Sequence, residues 1–146
     1  MSEQLIIKVQ YKDDSVERLK KIMQGDWIDL RAATDIAMNA GEFAYIDLGV
    51  AMQLPTGYEA IVAPRSSTFK NFGIIQANSI GIIDNSFCGP TDWWKFPAIA
   101  MRNTIIHKND RICQFRIIAN QPNLLMHETS LEGNTNRGGW GSTGKN

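Results

Sequence analysis

The 146-residue chain carries fifteen basic and fifteen acidic side chains, two cysteines and 43% hydrophobic residues. That length suits one domain with a sizeable core, and the balanced charge supplies no global field for nucleic acid or an anionic membrane. No apolar run reaches a membrane span, MSEQLIIKVQ lacks the features of a signal peptide, and Cys88 and Cys113 have no metal-ligand spacing, which together point to the cytoplasm.

In chain order, QLIIKVQY alternates, with Leu5, Ile7, Val9 and Tyr11 on one face, and predicts a strand. DDSVERLKKIMQG follows. Its Val16, Leu19, Ile22 and Met23 are spaced for one short helix, with Asp14 or Ser15 as cap and Gly25 as its end. AYIDLGVAMQL is β-rich, Pro55-Thr56-Gly57 is a turn, and YEAIVAP resumes a strand. SIGIID is a strand around a glycine. RICQFRII is another, entered through a polar turn at Lys108, Asn109 and Asp110. Many short strands at regular spacing predict a sandwich or barrel. Residues 1–146 read as one domain, with a Gly/Asn-rich arm from about 133 to 146.

Five short stretches carry chemistry. In APRSST, Arg65 offers a fork of donors suited to phosphate, and Ser66 and Ser67 add hydroxyls; a plain surface turn is the competing reading. NSIGIID puts the Asp84 carboxylate at the end of an apolar strand, where it either orients a water or caps a turn. Phe87, three residues on, offers a flat face to a sugar or belongs to the core. RAATDIAM holds Asp35 among small and apolar residues, where an acid needs a partner, a metal or water. DRICQ sets Arg111 and Gln114 at a strand start. RGGWGSTGKN, at the end, combines glycines, hydroxyls and a cation in the manner of a phosphate cradle.

In order and spacing these stretches resemble the five motifs of the trimeric dUTPases, and GDWIDLRAA with RSSTFKNFG is most similar to the Bacillus phage and prophage group. The resemblance implies an all-β jelly-roll fold and a homotrimer whose C-terminal arm is exchanged between subunits. It also implies Mg2+-dependent hydrolysis of dUTP to dUMP and pyrophosphate by in-line attack of water on the α-phosphorus. Carried over by motif, Asp84 activates the water, and Asp35 and Gln114 face the triphosphate and magnesium through water. Arg65, Ser66 and Ser67 grip the phosphates. The backbone of Ile82, Ile83 and Asp84, with Asn78 nearby, reads uracil. Phe87 crowds the ribose 2′ position. From a neighbouring subunit, Arg137, Ser142 and Thr143 hold the terminal phosphate, while Trp140, beside Gly141, closes over the base, with Trp93, Trp94 and Phe96 of DWWKF as the alternative lid.

The chain departs from the family pattern at several positions. Phe87 replaces a tyrosine, Asn109 a glycine, Thr34 an aromatic and Trp140 a phenylalanine. Two rival readings stay open. One is a dCTP deaminase-like enzyme of the same fold, although its glutamate with a neighbouring Ser-Arg is not evident. The other is a phage dUTPase that also binds regulatory proteins, with DWWKF, Asp92 to Phe96, as an exposed aromatic surface. Packing of those tryptophans at a subunit interface competes with that second reading.

Overall fold

The computed structural model describes residues 4–141 and Gly144. Eleven antiparallel strands make up its regular structure: β1 Lys8–Tyr11, β2 Ile28–Arg31, β3 Ile36–Met38, β4 Phe43–Asp47, β5 Val50–Gln53, β6 Tyr58–Pro64, β7 Ile74–Gln76, β8 Gly81–Ile83, β9 Lys95–Ala100, β10 Thr104–Ile106 and β11 Arg111–Ala119. One short helix, α1, spans Thr68–Phe72. A four-stranded sheet runs β2-β11-β6-β8 and a three-stranded sheet runs β4-β9-β7, while β1 pairs with β5 and β3 with β10.

The two larger sheets bury alternate residues against each other, as half-buried strands do. Leu30, Val62 and Phe115 from one meet Ile46, Ile74, Phe96 and Ala98 from the other in one hydrophobic cluster. Trp94 lies edge-on to Phe115, with ring centroids 5.3 Å apart, and joins the two layers. Trp94 and Phe96 are both buried within a single chain. DWWKF is therefore not an exposed aromatic surface, and of its aromatic rings only Trp93 remains partly accessible.

No helix forms between Asp14 and Gly25. The Asp13 carboxylate accepts from the Ser15 N–H at 2.8 Å and from the Ser15 hydroxyl, a local bond that competes with a helical turn. Arg18 Nη1 donates to Val16 O at 2.7 Å, and Lys21 donates to the carbonyls of Ile22 and Gly25. Only Val16 of the expected apolar face is buried; Ile22 and Met23 are exposed. Val16 packs where the chain reverses between β4 and β5. Gly49 there has φ +69°, and a Cβ on it would come within 2.9 Å of Val16 Cγ2. A side chain at 49 would therefore expel Val16 as well as strain the backbone.

The one helix among the described residues stands instead shortly after Arg65. Thr68 Oγ1 accepts from the Arg65 N–H at 2.7 Å and donates to Ile112 O at 2.9 Å, which pins the chain as it leaves β6. After Ala119 the described residues form no further helix or strand. Leu124, Leu125, Met126, Leu131 and Trp140 in this stretch are exposed. Among the described residues no helix is long and apolar enough to cross a membrane.

Candidate active site

Strand register assembles the first half of the site. Asp29 on β2 stands opposite Gln114 on β11, and Gln114 stands opposite Ala63 on β6. Directly opposed residues share a face, so Asp29 and Gln114 project together. Arg65, two residues beyond Ala63, reaches back to Asp29, its Nε 3.1 Å from Oδ1. Arg111 Nη1 lies 3.3 Å from Oδ2 of the same carboxylate. Gln114 Nε2 donates to Pro64 O at 3.0 Å. A register shift in β11 between Arg111 and Cys113 breaks the regular ladder beside this cluster, as bulges near functional sites do.

These groups line a cavity of about 400 Å³ that Ser66 also enters. Arg18, Lys20, Arg31, Arg65 and Arg111 line it against only Asp26 and Asp29. Such a surplus of fixed cations suits a polyanion. Arg31 is held by Glu17 at 3.1 Å and by Asn109 O at 2.8 Å. The irregular segment around residues 13–26 thus forms one wall of the cavity, with Leu19 and Ile22 contributing apolar surface.

Asp35 lies outside this cluster. Its carboxylate is exposed, accepts from the Lys108 N–H at 2.7 Å and sits 3.9 Å from His107 Nδ1, so it caps the turn that leads to β11. Asp29, which the motif reading passed over, occupies the place beside Arg65, Ser66 and Gln114. A signal for it was present in GDWIDLRAA: Asp29 directly precedes the core residue Leu30 on a short strand, so its side chain must leave on the opposite face. Asn109, which stands in place of the family's glycine, has φ +71°, a left-handed conformation that asparagine tolerates better than most residues.

The second half is a cavity of about 450 Å³. Asn78, Ile82, Ile83 and Phe87 line it together with Gly81 and Trp93. It shares no lining residue with the first cavity. Asp84 follows directly on β8. Its Oδ2 accepts from the Ser86 N–H at 2.9 Å and from the Ser86 hydroxyl, while Oδ1 makes no bond to the described residues. The hydroxyl bond first, and the N–H bond second, hold the Asp84 carboxyl below its ordinary pKa. Both readings of Asp84 are compatible: one oxygen caps the turn and the other stays available. Ser67 precedes α1 and makes no side-chain cap bond. Arg137 is exposed, and Trp140 is fully exposed with φ +53°. Ser142 and Thr143 lie outside the described residues.

Two antiparallel sheets packed as a jelly roll carry a cationic cavity on one and an apolar cavity at a hairpin, a pair that suits the anionic and the flat ends of a nucleotide. The dUTPase family model matches residues 27–144, and the chain belongs to that family. It is 57% identical over 138 residues to the SPbeta prophage-derived deoxyuridine 5'-triphosphate nucleotidohydrolase YosS of Bacillus subtilis, covering 94% of this chain and 97% of that protein. Its fold is that of the dUTPase of Staphylococcus bacteriophage 80alpha, with a TM-score of 0.79 at 18% identity, covering 96% of this chain and 99% of the other. It also matches a mutant dUTPase of phage phi11 of S. aureus, in which a structural Mg(II) ion is coordinated, with a TM-score of 0.76 at 15% identity over 87% of this chain and 99% of the other.

Proposed function

We propose that the protein hydrolyses dUTP to dUMP and pyrophosphate, with water attacking the α-phosphorus. The observation that carries this reading, in a chain of this family, is the cationic cavity around Asp29, Arg65, Ser66 and Gln114. It matches the charge of a triphosphate, and a reaction that expels pyrophosphate depends chiefly on positioning and on neutralising developing charge. Arg65 and Ser66, with Ser67 beside them, hold the phosphates. Asp29 takes the role that the motif reading gave to Asp35, because it alone of the two faces that cavity.

The donor set suits magnesium through water and substrate phosphate, since Arg65 and Arg111 already lie 3.1 and 3.3 Å from the two Asp29 oxygens. Among the described residues no three His, Cys, Asp or Glu side chains cluster as a metal cage. One carboxylate, Asp29, with the Gln114 amide beside it, is what magnesium commonly uses when it keeps waters and takes substrate phosphates as its remaining ligands. When bound, the ion would neutralise phosphate charge.

Asp84 takes a proton from the attacking water through Oδ1. The backbone of Ile82 to Asp84, with Asn78, pairs with uracil; cytosine presents the opposite pattern at one edge and leaves buried groups unpaired. Phe87 keeps the aromatic face that excludes a ribose 2′-OH. The reading includes a homotrimer in which the two cavities, lined by separate sets of described residues, meet across subunits. Arg137, Ser142, Thr143 and Trp140 then arrive on the arm of another chain. The fully exposed Trp140 and the exposed apolar residues from Leu124 to Leu131 support an arm that leaves its own subunit. The proposed site of action is the cytoplasm, in keeping with two unpaired thiols. A regulatory role like that of the phage 80alpha dUTPase, control of the transfer of virulence genes, gains no support from DWWKF, whose Trp94 and Phe96 are core residues.

The test is a panel of dUTP, dCTP, dTTP and UTP with separate detection of pyrophosphate and ammonia. Pyrophosphate from dUTP alone is expected. Ammonia from dCTP would replace this reading with the deaminase.

A further inference from the structure

Gln76 is one of only two buried polar side chains among the described residues, the other being Thr68. It ends β7, where Ile74 and Gln76 both point inward and Ile75 points out. A carboxamide at a core position is costly unless bonded. Gln76 is bonded on one side only: Nε2 donates to Val62 O at 3.2 Å, while Oε1 has no partner. Stability alone would favour leucine or methionine there. What the carboxamide supplies is placement.

Three contacts say what it places. Val62 on β6 is the register partner of Gly81 on β8. A Cβ on Gly81 would stand 3.2 Å from Gln76 Nε2 and 3.3 Å from Val62 Cβ, so the carboxamide fills the space that glycine leaves. At the other end of the connection, Gln76 O accepts from the Ser79 N–H at 3.1 Å, within the tight loop that carries Asn78. Val62, Asn78, Gly81, Ile82 and Ile83 all line the apolar cavity. The loop is held by the main chain of residue 76, whatever its side chain, while the carboxamide ties the strand of the hairpin assigned to base reading to the opposite sheet.

We infer that Gln76 is a positioning residue for base selection: its carboxamide, packed on the paired Val62 and Gly81 and bonded to Val62 O, sets how the base-reading backbone of β8 sits against the opposite sheet. The inference rests on the dUTP reading above. Main-chain recognition depends on such placement, because backbone donors cannot move independently to meet a base edge.

The test compares the full-length protein with Gln76→Met, which keeps the volume and removes the donor. The Michaelis constant for dUTP is expected to rise about tenfold with kcat within about twofold, and the preference for dUTP over dCTP to fall about tenfold, the scale of one misplaced hydrogen bond. Gln76→Glu keeps the shape but turns a carboxylate oxygen toward Val62 O. It is expected to shift both quantities the same way, and it serves alone if the methionine variant does not fold. Unchanged KM and preference in the folded variants would overturn the inference. So would a common loss of kcat and thermal midpoint with the preference intact, which would mark Gln76 as packing only. A wild-type protein inert toward dUTP would instead remove the functional reading, and the inference with it, before any variant is made.

Discussion

Asp84 illustrates how one side chain can hold two tasks apart. Its Oδ2 is occupied by Ser86, and its Oδ1 is left for water. Asp84→Asn keeps the turn but cannot take a proton, so turnover is expected to fall by roughly 10²–10⁴ with dUTP affinity retained, measured by pyrophosphate release and by titration with a non-hydrolysable analogue. The lowered pKa fixes the pH behaviour. A depressed carboxyl is already ionised at neutral pH, so the acid limb of kcat/KM falls below the ordinary carboxylate range, and the turn that it stabilises weakens only as pH drops through that low value. Ser86→Ala removes the largest cause of the depression and is expected to move the acid limb upward. Asp29 and Asp35 form a second contrast. Asp29 is gripped by two guanidinium groups in the cavity, whereas Asp35 caps an exposed turn. Asp29→Asn should lower kcat/KM by roughly a hundredfold, the scale of losing one preorganised electrostatic group, and Asp35→Asn should stay within about threefold. Equal losses would return the role to Asp35. The thiols diverge for similar reasons. Burial first, and the nearby Asp29 charge second, push the Cys113 thiol far up, while Cys88 is exposed. A thiol reagent should therefore titrate one cysteine in the native protein and two after unfolding.

At the scale of elements, several strands were legible, although QLIIKVQY forms a strand only over Lys8–Tyr11 and leaves Leu5 exposed. YEAIVAP became β6 residue for residue, RICQFRII lies within β11, and SIGIID contains β8. Alternation survives into structure where one face is buried, and here the sandwich buries it. The segment from Asp14 to Gly25 misled because its 3.6-residue spacing was real but met apolar surface only at Val16 and, in part, Leu19. Polar side chains took the main-chain groups instead, and only Val16 found a core position. The actual helix, TFKNF, was too short to show a period. Asn109 shows what a local rule captures and what it misses. Its tolerance of positive φ was foreseeable from residue type, but its side chain also accepts from the Glu17 N–H at 3.0 Å and donates to Ser15 O at 3.1 Å. It therefore ties the irregular wall of the cationic cavity to the turn before β11. Asn109→Ala loses both the conformation and the ties, and should cost about 2 kcal/mol; Asn109→Gly keeps the conformation and should cost about 1 kcal/mol. Urea midpoints would order the variants, and faster amide exchange over residues 13–26 in both would locate the loosened wall.

For the whole molecule, the motifs were legible as an ordered set while their meeting points were not. Sequence spacing gives the order of Arg65, Asp84, Gln114 and Arg137, but which of them share a cavity depends on strand register and on neighbouring chains. The structure divides them: Arg65 and Gln114 line one cavity, the hairpin before Asp84 lines another, and the arm bearing Arg137 and Trp140 lies exposed. A substrate spanning base to γ-phosphate needs all three groups, so an isolated subunit should be nearly inactive and activity should depend on assembly. The consequence can be tested by mixing two defective chains. One carries Asp84→Asn with an intact arm. The other is truncated before Arg137 with Asp84 intact. If the arm acted on its own subunit, no mixture would contain a complete site. If it acts on a neighbour, some mixed trimers combine an intact Asp84 with an intact arm from the other chain. Refolding the two together is thus expected to restore about a quarter of wild-type activity at equal ratio, taking random assembly and independent sites as in any proximity-limited reaction. Mixed trimers verified by differently tagged chains, yet without recovered pyrophosphate release, would place the arm in its own subunit and require the two cavities to be joined in another way.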